Sequence, residues 1–333
     1  MAHSKFLVVL TLVTSLLLSS CGGKENCNIP SEISDINVTV DIERLDLKLD
    51  SLNSLRETAN FLNKNQGFLA GFLEPQQYQN PNTVVGRFHN LVTNPGFDSL
   101  QAETRKVFDD NKIEELENEL ELLFKHIKHY YPDYTVPKVQ TVTTGIIRDL
   151  YVTDSVIVIG LDYFLGEKGK YRPQQPQYIL DHYTPEYIVP KIALLISNKY
   201  NKVDLNDKTL LADMIYYGKS YAFVNAVMPC LEDRKIIWYS EDEMEAAYNN
   251  ASVIYSYFIS NELFYETSPM SKRKYVQERP KTPEIGDQCP GRIGTWLGWQ
   301  IVQRYQDKTD KPLQELMNTR EAELIFQKAS YKP

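Results

Sequence analysis

The stretch Cys289–Tyr305, CPGRIGTWLGWQIVQRY, restricts this chain more than any other. Its spacing predicts a helix over Arg292–Tyr305. Trp296 and Trp299 lie three residues apart and form one apolar stripe with Leu297, Ile301 and Val302. Gly294 and Gly298, four apart, share a face on which they let a second backbone approach closely. Arg292 and the glycines around it also sit where a helix leaves its first N–H groups free, an arrangement that attracts anions. Packing is the expected role of the helix, with the Thr184–Ile196 segment as its neighbour. Arg292 is the residue expected to have a separate function.

The N-terminus fixes where such a domain resides. Met1–Ser20 has Lys5 in a short head and the apolar run Phe6–Leu18, then closes on Leu18-Ser19-Ser20. That pattern reads as an export signal. The run is short of the ~20 apolar residues of a membrane span. Leu18-Ser19-Ser20-Cys21 resembles a bacterial lipobox, which implies cleavage before Cys21 and a lipid on its sulfur. Residues 1–20 are therefore expected as a signal peptide, 21–35 as a lipidated tether and 36–333 as one domain. Lys24-Glu25 resembles charged surface-export signals only faintly, so the expected site is a membrane of the cell envelope, facing the periplasm. A net charge of −8 argues against a nucleic-acid partner, which demands a basic footprint. Three cysteines remain, Cys27, Cys230 and Cys289. In an oxidising compartment Cys230 and Cys289 pair, or all three stay as thiols.

Along the chain, Ile36–Asp41 alternates like a strand, and Val136–Thr144 and Ser155–Leu161 are β-branched. Arg44 and Asp46 read as a solvated surface pair. Helices are expected at Leu52–Phe61, Phe68–Tyr78, Phe97–Tyr131, Thr184–Ile196, Leu205–Val227, Ser240–Phe264 and Lys311–Lys328. Asn80–Phe97, Asp162–Asp181 and Ser268–Gln288 are expected as loops, with a turn at Arg148–Tyr151. Thr184 is placed to cap its helix, which Pro190 should interrupt. Ser240 with Glu243 forms a capping box. The fold class is α+β, predominantly helical with a small sheet.

VIVIGLDYFLGEKGKYRP (residues 156–173), TPEYIVPKIA (residues 184–193) and PGRIGTWLGWQIVQRY (residues 290–305) resemble the gliding-motility lipoprotein family GldB. The lipobox and Arg44-Leu45-Asp46 fit the same pattern. The resemblance implies an envelope lipoprotein of the Bacteroidetes type, in a motility and secretion apparatus, with no enzymatic activity to carry over. A weaker likeness is to zinc metallopeptidases of the zincin kind. Their first helix carries H-E-x-x-H, whose histidines share a face and bind zinc. The corresponding helix here, Pro185–Lys191, has no histidine, so a zincin-like domain in this chain is a metal-free one. His126 and His129 are three apart on a helix but lack further ligands. No cofactor and no metal are expected.

Three functions follow from these readings. The first is a non-catalytic lipoprotein holding envelope partners by protein–protein interaction. The second is a degenerate peptidase-like or cell-wall-acting enzyme using Glu186, Asp162 or Arg292. The third is a glycan- or peptide-binding lipoprotein with Tyr163, Tyr171, Tyr178, Trp296 or Trp299 as stacking platforms. A pocket joining Arg292 to the 162–186 segment, with a carboxylate inside, separates the last two from the first.

Overall fold

A computed structural model describes residues 27–80 and 82–333. Cys21 and the signal segment lie outside the described residues. Four strands form one sheet, β1 (Glu43–Arg44), β2 (Lys138–Val142), β3 (Leu150–Val152) and β4 (Val156–Gly160), in the order β1-β2-β4-β3. β1, β2 and β4 run parallel, and β3 closes the edge antiparallel to β4. β2 and β4 are buried along nearly their whole length, and β4 accordingly reads as a continuous β-branched run. The rest is helical: α1 (Leu55–Lys64), α2 (Asn82–Val92), α3 (Pro95–Val107), α4 (Asp110–Tyr130), α5 (Ile188–Tyr200), α6 (Leu210–Val227), α7 (Glu241–Asn249), α8 (Ala251–Ser260), α9 (Pro269–Val276), α10 (Ile293–Thr309) and α11 (Ala322–Ala329), with shorter turns between them. The chain is predominantly helical α+β, as its sequence pattern indicated.

α10 crosses α6 at van der Waals distance, and the glycines make this possible. A Cβ on Gly298 would lie 2.1 Å from the Met214 carbonyl oxygen, and one on Gly218 would lie 2.5 Å from the Gly298 carbonyl oxygen. The close neighbour of α10 is therefore α6, whereas the sequence pointed to the Thr184–Ile196 segment. Gly294 instead admits the Tyr275 main chain at the end of α9. Trp296, Trp299 and Tyr305 are fully buried in this seam.

Several local expectations are corrected. Asn80–Phe97 is not a loop, because Val84, Phe88 and Val92 at four-residue steps turn one face of α2 inward. Phe97–Tyr131 breaks at Phe108, where Asp109 caps α4 through the Lys112 N–H. Ser268–Gln288 contains α9, begun by Pro269, and Leu150–Val152 pairs as a strand where a turn was expected. Helix α5 begins after a 3-10 turn at Pro185–Tyr187, and the Thr184 hydroxyl caps nothing. Pro190 is the third residue of α5, where the missing N–H has no helical partner to lose, so no interruption follows. Ser240 and Glu243 do form the capping box of α7.

Ile36–Asp41 is not a strand. It runs along α4, whose Glu121 and Glu117 carboxylates accept the Val40 and Ile42 N–H groups at 2.9 Å each. Those glutamates look solvated in the sequence, yet they stand in for a missing neighbour strand. The Arg44–Asp46 pair is not on the surface either. Asp46 is fully buried, accepting from Arg44 (2.7 Å) and the Thr141 hydroxyl (2.7 Å).

The disulfide differs from expectation too. Cys230, just beyond α6, bonds to Cys27, and Cys289 is a free thiol. The reason is placement. Ile33 is buried and the Ser34 carbonyl accepts from Lys125 on α4, so residues 27–34 are docked and not free tether. Cys289 is held in a tight turn whose Thr282 N–H bonds the Cys289 carbonyl at 2.8 Å. Burial pushes its thiol up to about 12, so it stays protonated.

Candidate functional site

A cleft of about 520 Å³ opens between the 178–187 segment, the turn after the Asp233–Ile237 helix, the 278–281 loop and the start of α10. Trp238 lies at its centre. It ends its short helix in the left-handed conformation (φ 58°), and Arg292 precedes α10 in the same conformation (φ 55°). Both are non-glycine residues in a region that costs energy, and the Arg292 guanidinium lies over the Trp238 ring. The Arg292 guanidinium donates to the carbonyls of Ile237 (2.6 Å) and Trp238 (3.1 Å) and pairs with Glu278 at 3.3 Å. It thereby supplies partners to carbonyls that a helix C-terminus leaves free. The Tyr239 hydroxyl donates to the Gly291 carbonyl at 2.5 Å, tying the two turns together.

His182 stacks on Trp238, with ring centres 5.0 Å apart. Burial, then the Lys191 and Arg292 charges, holds its imidazole down to about 3, so it is neutral. Lys191 comes from the first turns of α5. Its ammonium rests 4.0 Å from the centre of the Trp238 ring and 4.2 Å from that of Tyr183. Burial holds this amine down to about 8 against the opposing pull of Asp149 and Glu278. Tyr183 is steadied by its hydroxyl, which donates to Asp149 at 2.9 Å. The rim carries both signs of charge, with Arg234, Arg279 and Lys281 among Asp181, Asp242 and Glu243.

Of the site residues expected from sequence, Arg292 and Tyr178 line this cleft. Asp162 does not. It is fully buried below the sheet, where it accepts the Thr144 and Ile146 N–H groups (2.9 and 2.6 Å) and shapes the left-handed Gly145–Ile146 turn. Burial raises its carboxyl to about 6 despite those donors. Glu186 points the other way, pairing with Lys235 at 2.6 Å on the α4 side. Tyr171 is half-buried away from the cleft with Lys170 over its ring, and Tyr163 packs edge-on to Tyr183. Trp296 and Trp299 are core, against Tyr248 and Tyr221 respectively. His126 is buried, its Nδ1 held by the Leu122 carbonyl at 2.9 Å. Among the described residues no cluster of three or more His, Cys, Asp or Glu side chains has the geometry to hold a metal ion.

His182, Lys191 and Trp238 were missed by sequence reading. The available signal was Lys191 itself, a charged residue on the apolar face of the Ile188–Ile196 run.

The fold is a predominantly helical α+β domain with a cleft assembled from four distant segments. Residues 26–333 match the family model described as gliding motility protein GldB, and this chain belongs to that family. No curated protein and no solved structure matches it. No described helix is long and apolar enough to cross a membrane.

Proposed function

We propose that this chain is a non-catalytic lipoprotein, anchored through Cys21 to a cell-envelope membrane and facing the periplasm. It supports a gliding-motility or secretion apparatus by recognising a partner in the Trp238 cleft. The family match supports the motility and envelope part of this reading, and the cleft supports the recognition part, because a pocket joining Arg292 to the 162–186 segment favours a chain that binds its partner in a pocket over a scaffold with a filled core. The cleft joins Arg292 to the 178–187 segment and combines a Trp, Tyr and Arg floor with a two-sign rim, the composition of binding hot spots. Three of its four lining carboxylates hold structural bonds, and the fourth, Asp242, is exposed to solvent. Glu278 pairs with Arg292, Glu243 closes the capping box and Asp181 accepts from Gln177. A general acid or base needs a carboxylate free to exchange its proton with substrate, so recognition is favoured over hydrolysis.

The test is recovery of envelope proteins from membranes by the wild-type chain, Cys21→Ala and the rim variant Arg234→Glu. Partners should depend on both the anchor and the rim. Partners retained by both variants, or stoichiometric tightly bound zinc in purified protein, would sink the reading.

A further inference from the structure

Two buried polar side chains line the cleft without a hydrogen-bond partner. They are His182 and Tyr187, at 4% and 7% exposure. His182 makes no hydrogen bond or ion pair among the described residues, and its ring meets those of Trp238, Tyr183 and Tyr187. Tyr187 packs edge-on to it, ring centres 6.3 Å apart, and the Tyr187 hydroxyl has no hydrogen bond among those residues either. Tyr239 shows the contrast, its hydroxyl being spent on the Gly291 carbonyl. Elsewhere an unpartnered polar atom is sealed from solvent, as at His126 Nε2 and Tyr305 Oη, whereas the His182 nitrogens and the Tyr187 hydroxyl are not sealed. The space open to them is the cleft they line. Whatever fills that cleft must replace water's bonds to both side chains or leave them unpaired at a cost.

We propose that the cleft takes an uncharged amide of a peptide segment, which His182 and Tyr187 hold by hydrogen bonds. This rests on the cleft being a recognition site and names what enters it. A neutral imidazole and a phenol each offer a donor and an acceptor, the complement of an amide's C=O and N–H. The lining carries four basic and four acidic side chains, so it presents no net field to draw in a polyanion or a polycation. A charged group would also lose its water against two uncharged partners. A glycan is the other uncharged candidate. It binds by stacking on an open aromatic face, and the Trp238 ring already carries His182, Lys191 and Arg292. The rim favours a peptide as well. Asp242 and Lys281 have no ion pair among the described residues, and they are placed to meet flanking side chains of opposite sign.

The experiment titrates the purified mature chain with four probes, followed by NMR of its backbone amides. N-acetylalanine methylamide is an uncharged diamide, N-acetylalanine carries a carboxylate, alanine methylamide carries an ammonium, and maltose stands for a glycan. The diamide should bind, and each of the others should bind roughly tenfold more weakly or not at all. Tyr187→Phe removes one hydroxyl and should weaken diamide binding roughly three- to tenfold. Its melting temperature should stay at the wild-type value, because that hydroxyl has no protein partner, whereas Tyr239→Phe should melt lower. His182→Phe keeps a ring in place and should weaken the diamide at least as much as Tyr187→Phe. Equal binding of either charged probe, preference for maltose, diamide affinity unchanged in Tyr187→Phe, or no binding of any probe would overturn the proposal. The probe comparison needs only wild-type protein, so it decides even if a variant fails to fold. Absence of diamide binding, with partner recovery still dependent on Cys21 and Arg234, would refute the amide and leave the partner reading standing. Diamide binding with partners retained by Cys21→Ala and Arg234→Glu would do the reverse.

Discussion

Gly298→Ala is the sharpest test of how this fold is held together. The new Cβ would sit 2.1 Å from the Met214 carbonyl oxygen and 2.5 Å from its carbonyl carbon. Ordinary carbon–oxygen contact needs more than ~3.3 Å, so α6 and α10 must separate by about 1 Å. Both obstacles are main chain, so no side chain can swing aside. Separation loosens the packing around Trp296, Trp299, Ile301 and Tyr305, all fully buried. Overpacking of this kind costs ~1–3 kcal/mol, and the backbone obstacle puts it at the upper end. Alanine's better helix propensity returns at most ~1 kcal/mol. The expected net loss is therefore about 2 kcal/mol. With a urea slope of about 3 kcal/mol/M for a chain this long, the midpoint should fall by roughly 0.7 M. Gly86, in α2, is the control. A Cβ there meets nothing within 4 Å, so Gly86→Ala should stabilise by ~0.5–1 kcal/mol. Urea unfolding followed by circular dichroism measures both. A Gly298→Ala midpoint equal to wild type, or a fall in Gly86→Ala as large as in Gly298→Ala, would refute the close-approach argument.

The remaining predictions concern charge and crosslinks. Lys191 has a folded pKa of about 8, below its ordinary 10.5, so stability associated with it is present above pH 10.5 and lost as pH falls toward 8. Asp149, Glu278, Arg292 and neutral His182 surround it. The penalty at pH 7 is on the order of 3 kcal/mol. Relative to wild type, Lys191→Met should therefore gain stability by that order as pH falls from 10.5 to 8, change no further below pH 8, and be the more stable protein at pH 7. Thermal melts across pH check this, and a destabilised variant at pH 7 contradicts it. His182, with its folded pKa at about 3 against 6.5, contributes stability present above pH 6.5 and lost as pH falls toward 3, amounting to ~2 kcal/mol by pH 5. His182→Gln should accordingly flatten the acid limb of the stability profile, and an unchanged slope excludes a neutral buried imidazole. Cys27 and Cys230 close a span of 203 residues. Cys230→Ser should cost about 5 kcal/mol by the chain-entropy argument, and Cys289→Ser under ~1 kcal/mol, measured by urea unfolding without reductant. Arg292→Ala should cost roughly 3 kcal/mol, since it strands Glu278 and two helix-end carbonyls. Full stability in that variant would remove its structural role.

Element type was legible wherever one face repeats over several turns, as in α4, or where β-branched residues run together, as in β4. It failed where the decisive contact comes from elsewhere. Residues 36–41 alternate like a strand, but Glu121 and Glu117 of α4 take the N–H groups of Val40 and of Ile42 just beyond it. Asn80 and Pro95 lie around α2 and hid its buried face. For the site, Arg292 stood out by its setting among glycines. His182 and Trp238 did not, because each is ordinary in its own segment, and Lys191, though a charge on an apolar face, has no local partner to mark it. They become a site only when α5, the Asp233–Ile237 helix and the start of α10 meet.

The sequence alone determined the family, the helical α+β class and the glycine–tryptophan helix that must admit a close neighbour. These follow from local periodicity and from small residues at fixed spacing, which need no partner to be read. The tertiary structure alone decided that this neighbour is α6, that Cys230 pairs with Cys27, that Asp162 shapes a turn, and that the Lys191 ammonium lies over Trp238. Each depends on which distant segments share space, and burial energy summed over the whole core settles that, not any local preference.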